Sequence, residues 1–153
     1  MSHESRLAEL KLELPAAARS IGVYRPVLVV GNLVYLSGHG PVQADGTMTC
    51  GQLGEDLDVA AGFAASRRTA MATLATLRGH FGSLDRINRL VKTTAFVHAA
   101  PQFKDHPAVV NGFSELLRDV FGPEAGIGAR SAVGVASLPG GWAVEIETIF
   151  ELT

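Results

Sequence analysis

The chain has a single cysteine, Cys50, so it holds no internal disulfide. A lone thiol of this kind reads as a half-buried residue in a reducing compartment rather than a reactive centre. No apolar run approaches the roughly 18 residues that a membrane span needs. The N-terminal stretch MSHESRLAEL carries charges where a signal peptide would carry an apolar core, so the expected location is the cytoplasm. Basic residues never run longer than Arg67-Arg68, and aromatics make up only 7% of the chain. Net charge is −2, from 13 Lys+Arg against 15 Asp+Glu. These shortages argue against a nucleic-acid footprint. His3, His39, His80, His98 and His106 are scattered without metal-ligand spacing, and no metal is expected. The glycine clusters form neither GxGxxG nor a P-loop, which argues against a bound nucleotide. Ser37 has no G-x-S-x-G elbow around it, which argues against a serine hydrolase.

What is present is an apolar, globular composition. Of 153 residues, 47% are apolar and 18% charged, enough for one domain, 1–153, with a sizeable core. The spacing of Leu7, Leu10 and Leu14 predicts a short N-terminal helix capped by Ser2 or Ser5 and ended by Pro15. Residues 1–20 are then this helix and a connector. Arg25 to Val30 and Leu33 to Gly38 read as strands around a Gly31-Asn32 turn. Along the second, Leu33, Tyr35 and Ser37 share one face, and Val34 and Leu36 the other. A turn at Ala44-Asp45-Gly46 precedes a short third strand from Thr47 to Leu53. Asp58 is placed to cap a helix from Val59 to His80, with Phe63, Ala70, Leu74, Leu77 and Phe81 as its core stripe and Gly82 as its stop. Arg89 to His98 reads as a strand. His106-Pro107 opens a further helix whose stripe runs through Phe113, Leu116, Leu117, Val120 and Phe121. Two helices with one apolar face each, and more strands than helices, predict an α+β layer fold with both helices on one side of a single sheet.

The stretch from Ala129 to Leu152 reads as a hairpin about Leu138-Pro139-Gly140-Gly141. Parity puts Arg130, Ala132 and Gly134 on one face of its first strand. Val144, Ile146, Thr148 and Phe150 belong against the helices, and Glu145 and Glu147 lie on the other side with Arg130. Arg can grip a carboxylate with two parallel hydrogen bonds, and Glu can hold water or shuttle a proton. A structural ion pair between them is the plainer alternative. In hairpin register Glu145 pairs opposite Gly134, leaving Arg130 roughly 13 Å away. That is too far to hold one small molecule within one subunit, so the pair is expected to meet across a subunit boundary. An oligomer would also cover the sheet face that no helix covers.

YRPVLVVGNLVYLSGHGPV, VKTTAFV and ARSAVGVASLPGGWAVEIE, in that order and spacing, resemble the RidA family. These are reactive intermediate deaminases, also called YjgF-like or L-PSP endoribonuclease-like. The likeness runs from about Ile21 to Glu151, and the last block is its most specific part. The N-terminal helix and the stretch from Asp56 to Gly62 resemble a longer subgroup. The resemblance implies a chorismate-mutase-like fold and a homotrimer with clefts between subunits. It implies a cofactor-free hydrolysis of enamines and imines of 2-amino acids to 2-keto acids and ammonia. Arg130 would bind the substrate carboxylate; Glu145, selected over Glu147 by the family spacing alone, would position water and help protonate the leaving amine. Tyr24, Ser37 and Asn111 match positions lining the cleft. Two departures stand out. Ala132 takes a place that is often Cys, which keeps the pocket small and removes a polar contact. His39 takes a place that is often Gln, adding a group that titrates near neutral pH. The alternatives are a non-catalytic or chaperone-like trimer that binds small carboxylates and, from the family's other label, an endoribonuclease.

Overall fold

Alternating burial along the strands builds the sheet, and the computed structural model describes the whole chain, Met1–Thr153. β1 (Val27–Val30) and β2 (Leu33–His39) form an antiparallel hairpin across Gly31, whose φ of 63° suits the left-handed turn position. β3 is Ile87–His98, β4 Ala129–Val135 and β5 Val144–Leu152. The order across the sheet is β1-β2-β5-β3-β4, with β3 and β4 parallel and every other pair antiparallel. Val34, Leu36, Ala95, Val97, Val144, Ile146 and Phe150 form one buried face.

Two long helices cover that face. α2 (Val59–Phe81) starts where the Asp58 carboxylate accepts from the Ala61 N–H at 2.8 Å, and stops at Gly82, whose φ of 79° no β-carbon would favour. α3 (His106–Phe121) starts with Pro107 at its tolerated position and buries Val109, Val110, Phe113, Leu116, Leu117 and Val120. The helices pack closely because Gly112 of α3 lies against the Phe63 carbonyl of α2. The α+β architecture and the placement of both helices on one face agree with the reading from sequence.

Several local expectations need correction. α1 is His3–Glu9, capped by Ser2, and ends before Leu14 because Lys11 takes a φ of 52°. Leu12 and Leu14 pack against the core without being helical. Thr47 to Leu53 makes only isolated bridges, Val42 with Met48, Cys50 with Trp142 and Leu53 with Ala99, not a third strand. Cys50 is exposed, not half-buried. On α2 the buried face is Ala65, Ser66, Thr69, Ala70, Thr73, Leu74, Thr76 and Leu77, and Phe63 and Phe81 are only half-buried at its margins. Small residues win because this helix packs on the sheet and on α3 at once.

The largest correction concerns the last two strands. β4 and β5 do not pair; β5 inserts between β2 and β3, and β4 lies on the far side of β3. The Pro139–Gly141 turn carries the chain past β3 rather than folding it back in register.

Candidate functional site

This topology separates the polar residues into two sets. Arg130 pairs with Thr93 on β3, and Thr93 pairs with Thr148 on β5. Paired residues share a face, and Thr93 and Thr148 are both buried under the helices. Arg130 is therefore on the helix side, against the parity expectation that put it with Glu145. Its Nη1 donates to Asn111 Oδ1 at 2.9 Å and to Ser114 Oγ at 3.1 Å, both on α3. Ala132 is two residues along on the same face, half-buried. These side chains brace a guanidinium at the β4 edge of the molecule without neutralising it, since neither Asn nor Ser brings a charge.

Glu145 and Glu147 lie on the open face. Glu145 pairs with Phe96, and Glu147 with Thr94, in the middle of the sheet. β2 carries one extra residue opposite β5 here: Leu36 pairs with Thr148 and His39 with Ile146. This bulge at Ser37 and Gly38 brings backbone onto Glu145; a β-carbon on Gly38 would lie 2.8 Å from Glu145 Cγ and Cδ. Burial raises the Glu145 carboxyl above the usual carboxylate range, and the Glu147 charge adds to the shift.

A cavity of about 610 Å³ opens on the same face, lined by Tyr24, Arg25, Leu28, Tyr35, Ser37, Lys92, Thr94, Glu147 and Ile149. Ser37 Oγ donates to the Arg25 carbonyl at 2.7 Å, which ties β2 to the start of β1. Lys92 Nζ donates to Ser131 Oγ at 3.1 Å across β3 and β4. Glu147 faces this cavity directly, and Glu145 sits one repeat further along β5. Of the two, Glu145 is the one packed against the Gly38 bulge.

His39 does not line the cavity. It is 4% exposed on the helix side, with Nδ1 2.7 Å from the Ser37 carbonyl and Nε2 2.8 Å from Thr76 Oγ1. Burial pushes its pKa down, partly offset by the Ser37 bond. It is a neutral imidazole within the fold, not a titrating group at a cleft. No cluster of three or more His, Cys, Asp or Glu is placed to hold a metal ion.

Arg130 and Glu145 are two strands apart and three residues out of step. The strand spacing and rise put their Cα atoms roughly 14 Å apart, on opposite faces. The structure thus brings together Arg130, Asn111 and Ala132 on one surface, and Tyr24, Ser37 and Glu145 on another. Sequence reading missed Ser114, which follows Asn111 by three residues on the same helix face, a spacing that was available as a signal. It also missed Gly38, whose role as the close neighbour of Glu145 has no local signature.

Protein TCP17 of Trypanosoma cruzi is 40% identical over 148 residues, covering 97% of this chain and 92% of the relative. A 2-iminobutanoate/2-iminopropanoate deaminase of Dermatophagoides farinae is 31% identical over 139 residues, covering 90% of this chain and 92% of the relative. Among solved structures, the Agrobacterium tumefaciens protein Atu1372, of unknown function, superposes with a TM-score of 0.89 at 39% identity, covering 99% of this chain and 92% of its own. A family model described as "YjgF/chorismate mutase-like, putative endoribonuclease" matches residues 4–140. With that match over most of the chain and relatives aligned along nearly their full lengths, the protein belongs to the YjgF/chorismate mutase-like family.

Proposed function

We propose that the protein is a RidA-like hydrolytic deaminase. It would convert enamine and imine intermediates of 2-amino acids to 2-keto acids and ammonia, in clefts between the subunits of a homotrimer. One observation carries this reading: a braced, uncompensated guanidinium on one surface, and a carboxyl with a raised pKa on another, too far apart to act together within one chain. A head-to-tail ring of subunits would bring the first surface of one protomer to the second surface of the next. The family and the deaminase among the relatives favour the same chemistry.

In this reading Arg130 takes the substrate carboxylate with two parallel hydrogen bonds, and Asn111 and Ser114 keep the guanidinium aimed. Ala132 leaves room beside it. Glu145 of the partner subunit holds the attacking water, with Tyr24 and Ser37 lining the cleft. Water adds to the imine carbon as the C=N electron pair moves to nitrogen, and Glu145 accepts the water proton. Nitrogen takes up that proton to give a carbinolamine. The carbinolamine hydroxyl then gives its proton through Glu145 to the same nitrogen, the C–N bond breaks, and ammonia leaves as the carbonyl forms. An iminium carbon is already electrophilic, so positioning and one acid/base group suffice, without a cofactor. A small carboxylate and further copies of the chain are the only partners the reaction requires; it calls for no nucleic acid or membrane.

The test generates 2-iminobutanoate or 2-aminoacrylate in situ and follows keto acid formation. Wild type should accelerate it, and Arg130→Ala and Glu145→Ala should each lose about 100-fold or more. An equimolar mixture of the two variants, unfolded and refolded together, should regain activity at about one quarter of the clefts. No acceleration by wild type would overturn the deaminase reading for those substrates, and carboxylate binding without turnover would favour the binding-protein alternative. Two variants inactive alone that regain nothing when refolded together would overturn the shared cleft.

A further inference from the structure

His39 is a titratable side chain that the proposed chemistry leaves unused. It sits beneath the two open-face residues that the chemistry does use, on the opposite side of the sheet. Burial keeps the imidazole neutral with a single ring proton, and its hydrogen bonds place that proton. A carbonyl only accepts, so Nδ1 carries the proton that goes to the Ser37 carbonyl at 2.7 Å. Nε2 is then bare and accepts from the Thr76 hydroxyl at 2.8 Å. The same Thr76 oxygen accepts the Ala18 N–H at 3.2 Å. One neutral imidazole thus joins the β2 bulge, the C-terminal part of α2 and the connector after α1.

The bulge is what the network holds. Its extra residue between Leu36 and His39 has no ladder partner on β5. On the β1 side the Ser37 N–H donates to the Pro26 carbonyl at 3.0 Å, which leaves the Ser37 carbonyl to be held from elsewhere. The Ser37 carbonyl is anchored by His39, and the Ser37 hydroxyl by the Arg25 carbonyl. Gly38, held between Ser37 and His39, passes close enough to Glu145 that no β-carbon would fit.

We propose that His39 is a positioning residue: from the helix side, it holds the Ser37-Gly38 bulge over the Glu145 carboxylate and ties that bulge through Thr76 to Ala18. The inference rests on the deaminase reading only for its consequence, that the bulge shields the acid/base group. Its geometry stands independently.

The experiment follows the Glu145 side-chain carboxyl carbon by NMR across a pH titration, without substrate. The titratable groups sharing its face are Glu147 and Glu151 on β5, Lys92 and His98 on β3, Tyr35 on β2, and Tyr24 and Arg25 before β1. All of these are unchanged in the variants. In His39→Leu the bulge should loosen and admit water, and the Glu145 midpoint should fall by about half a pH unit or more. His39→Asn keeps a donor where Nδ1 was and should restore most of the wild-type midpoint. Thr76→Val cuts the links to α2 and to Ala18 while leaving the Nδ1 bond to Ser37, and should shift the midpoint in the same direction by less. Should His39→Leu not fold, Thr76→Val carries the test. A folded His39→Leu, or failing it Thr76→Val, with Glu145 titrating at the wild-type midpoint would overturn the proposal. A moved midpoint in a protein that hydrolyses no imine would leave the positioning role intact and sink only the deaminase reading.

Discussion

Glu145 is held in an environment that disfavours its charge. Burial and the neighbouring Glu147 raise its folded-state pKa above the value it has in an unfolded chain. Its favourable contribution to stability is complete below the ordinary glutamate range and is lost as pH rises through the raised value. Replacing it by Gln removes a charge that the fold accommodates poorly. Glu145→Gln should therefore melt at a higher temperature than wild type near pH 7, and at the same temperature below about pH 4, where both side chains are neutral. Equal melting temperatures at both pH values would contradict the environment described for this carboxyl. Higher stability together with lost turnover would be the usual trade at a working acid/base group.

Among the elements, α2 and α3 show how much a small residue can decide. Gly62 of α2 meets Leu53 and Val109, and Gly112 of α3 meets the Phe63 carbonyl, so the two helices approach at glycine. A methyl group at Gly112 would push on backbone, which cannot rotate away. Gly112→Ala should cost about 1–3 kcal/mol in urea unfolding, although alanine is the better helix former. An unchanged midpoint would show that the helices can separate freely. The buried face of α2 beyond these contacts also carries hydroxyl residues, of which Thr69 and Thr73 donate to the carbonyls four residues back, each at 3.0 Å. The helix itself was legible in the sequence, from the Asp58 cap to the Gly82 stop. Its buried face was legible in part: Ala70, Leu74 and Leu77 are buried as the stripe predicts, whereas Phe63 and Phe81 are only half-buried. Packing on two sides selected Ala, Thr and Gly instead.

The whole molecule has one sheet face without a cover. Leu28 is 45% exposed there, Tyr35 40% and Val133 45%, around a cavity that also carries Arg25, Lys92 and Glu147. If subunits close over this face, a charge at Leu28 should weaken the assembly without unfolding the chain, because Leu28 is on edge strand β1 and already half in solvent. Wild type should run in light scattering at three times the 16.1 kDa chain mass. Leu28→Glu should run at one chain mass, with its circular dichroism unchanged and its deaminase activity lost. A monomeric wild type would overturn both the assembly and the cleft shared between subunits.

The sequence by itself determined the parts that depend on near neighbours. Caps, stops and periodicity placed α2, α3, β1, β2 and β3 within a few residues, because those signals act over one or two turns of chain. It also determined which residues of one strand share a face, as at Tyr35 and Ser37 against Val34 and Leu36. Strand order was decided only in the tertiary structure. Period two says nothing of which strand lies alongside, and the Pro139–Gly141 turn was compatible both with a hairpin and with passage across β3. The second arrangement lets β5, apolar at Val144, Ile146 and Phe150, occupy the centre of the sheet beneath α2. It leaves β4 at the edge beside α3. That choice turned Arg130 toward Asn111 and Ser114, left Glu145 on the open face, and placed His39 behind the bulge. Arg130 and Glu145, fifteen positions apart in sequence, thus came to lie on different surfaces, because burying the apolar face of β5 between two strands outweighed keeping consecutive strands together.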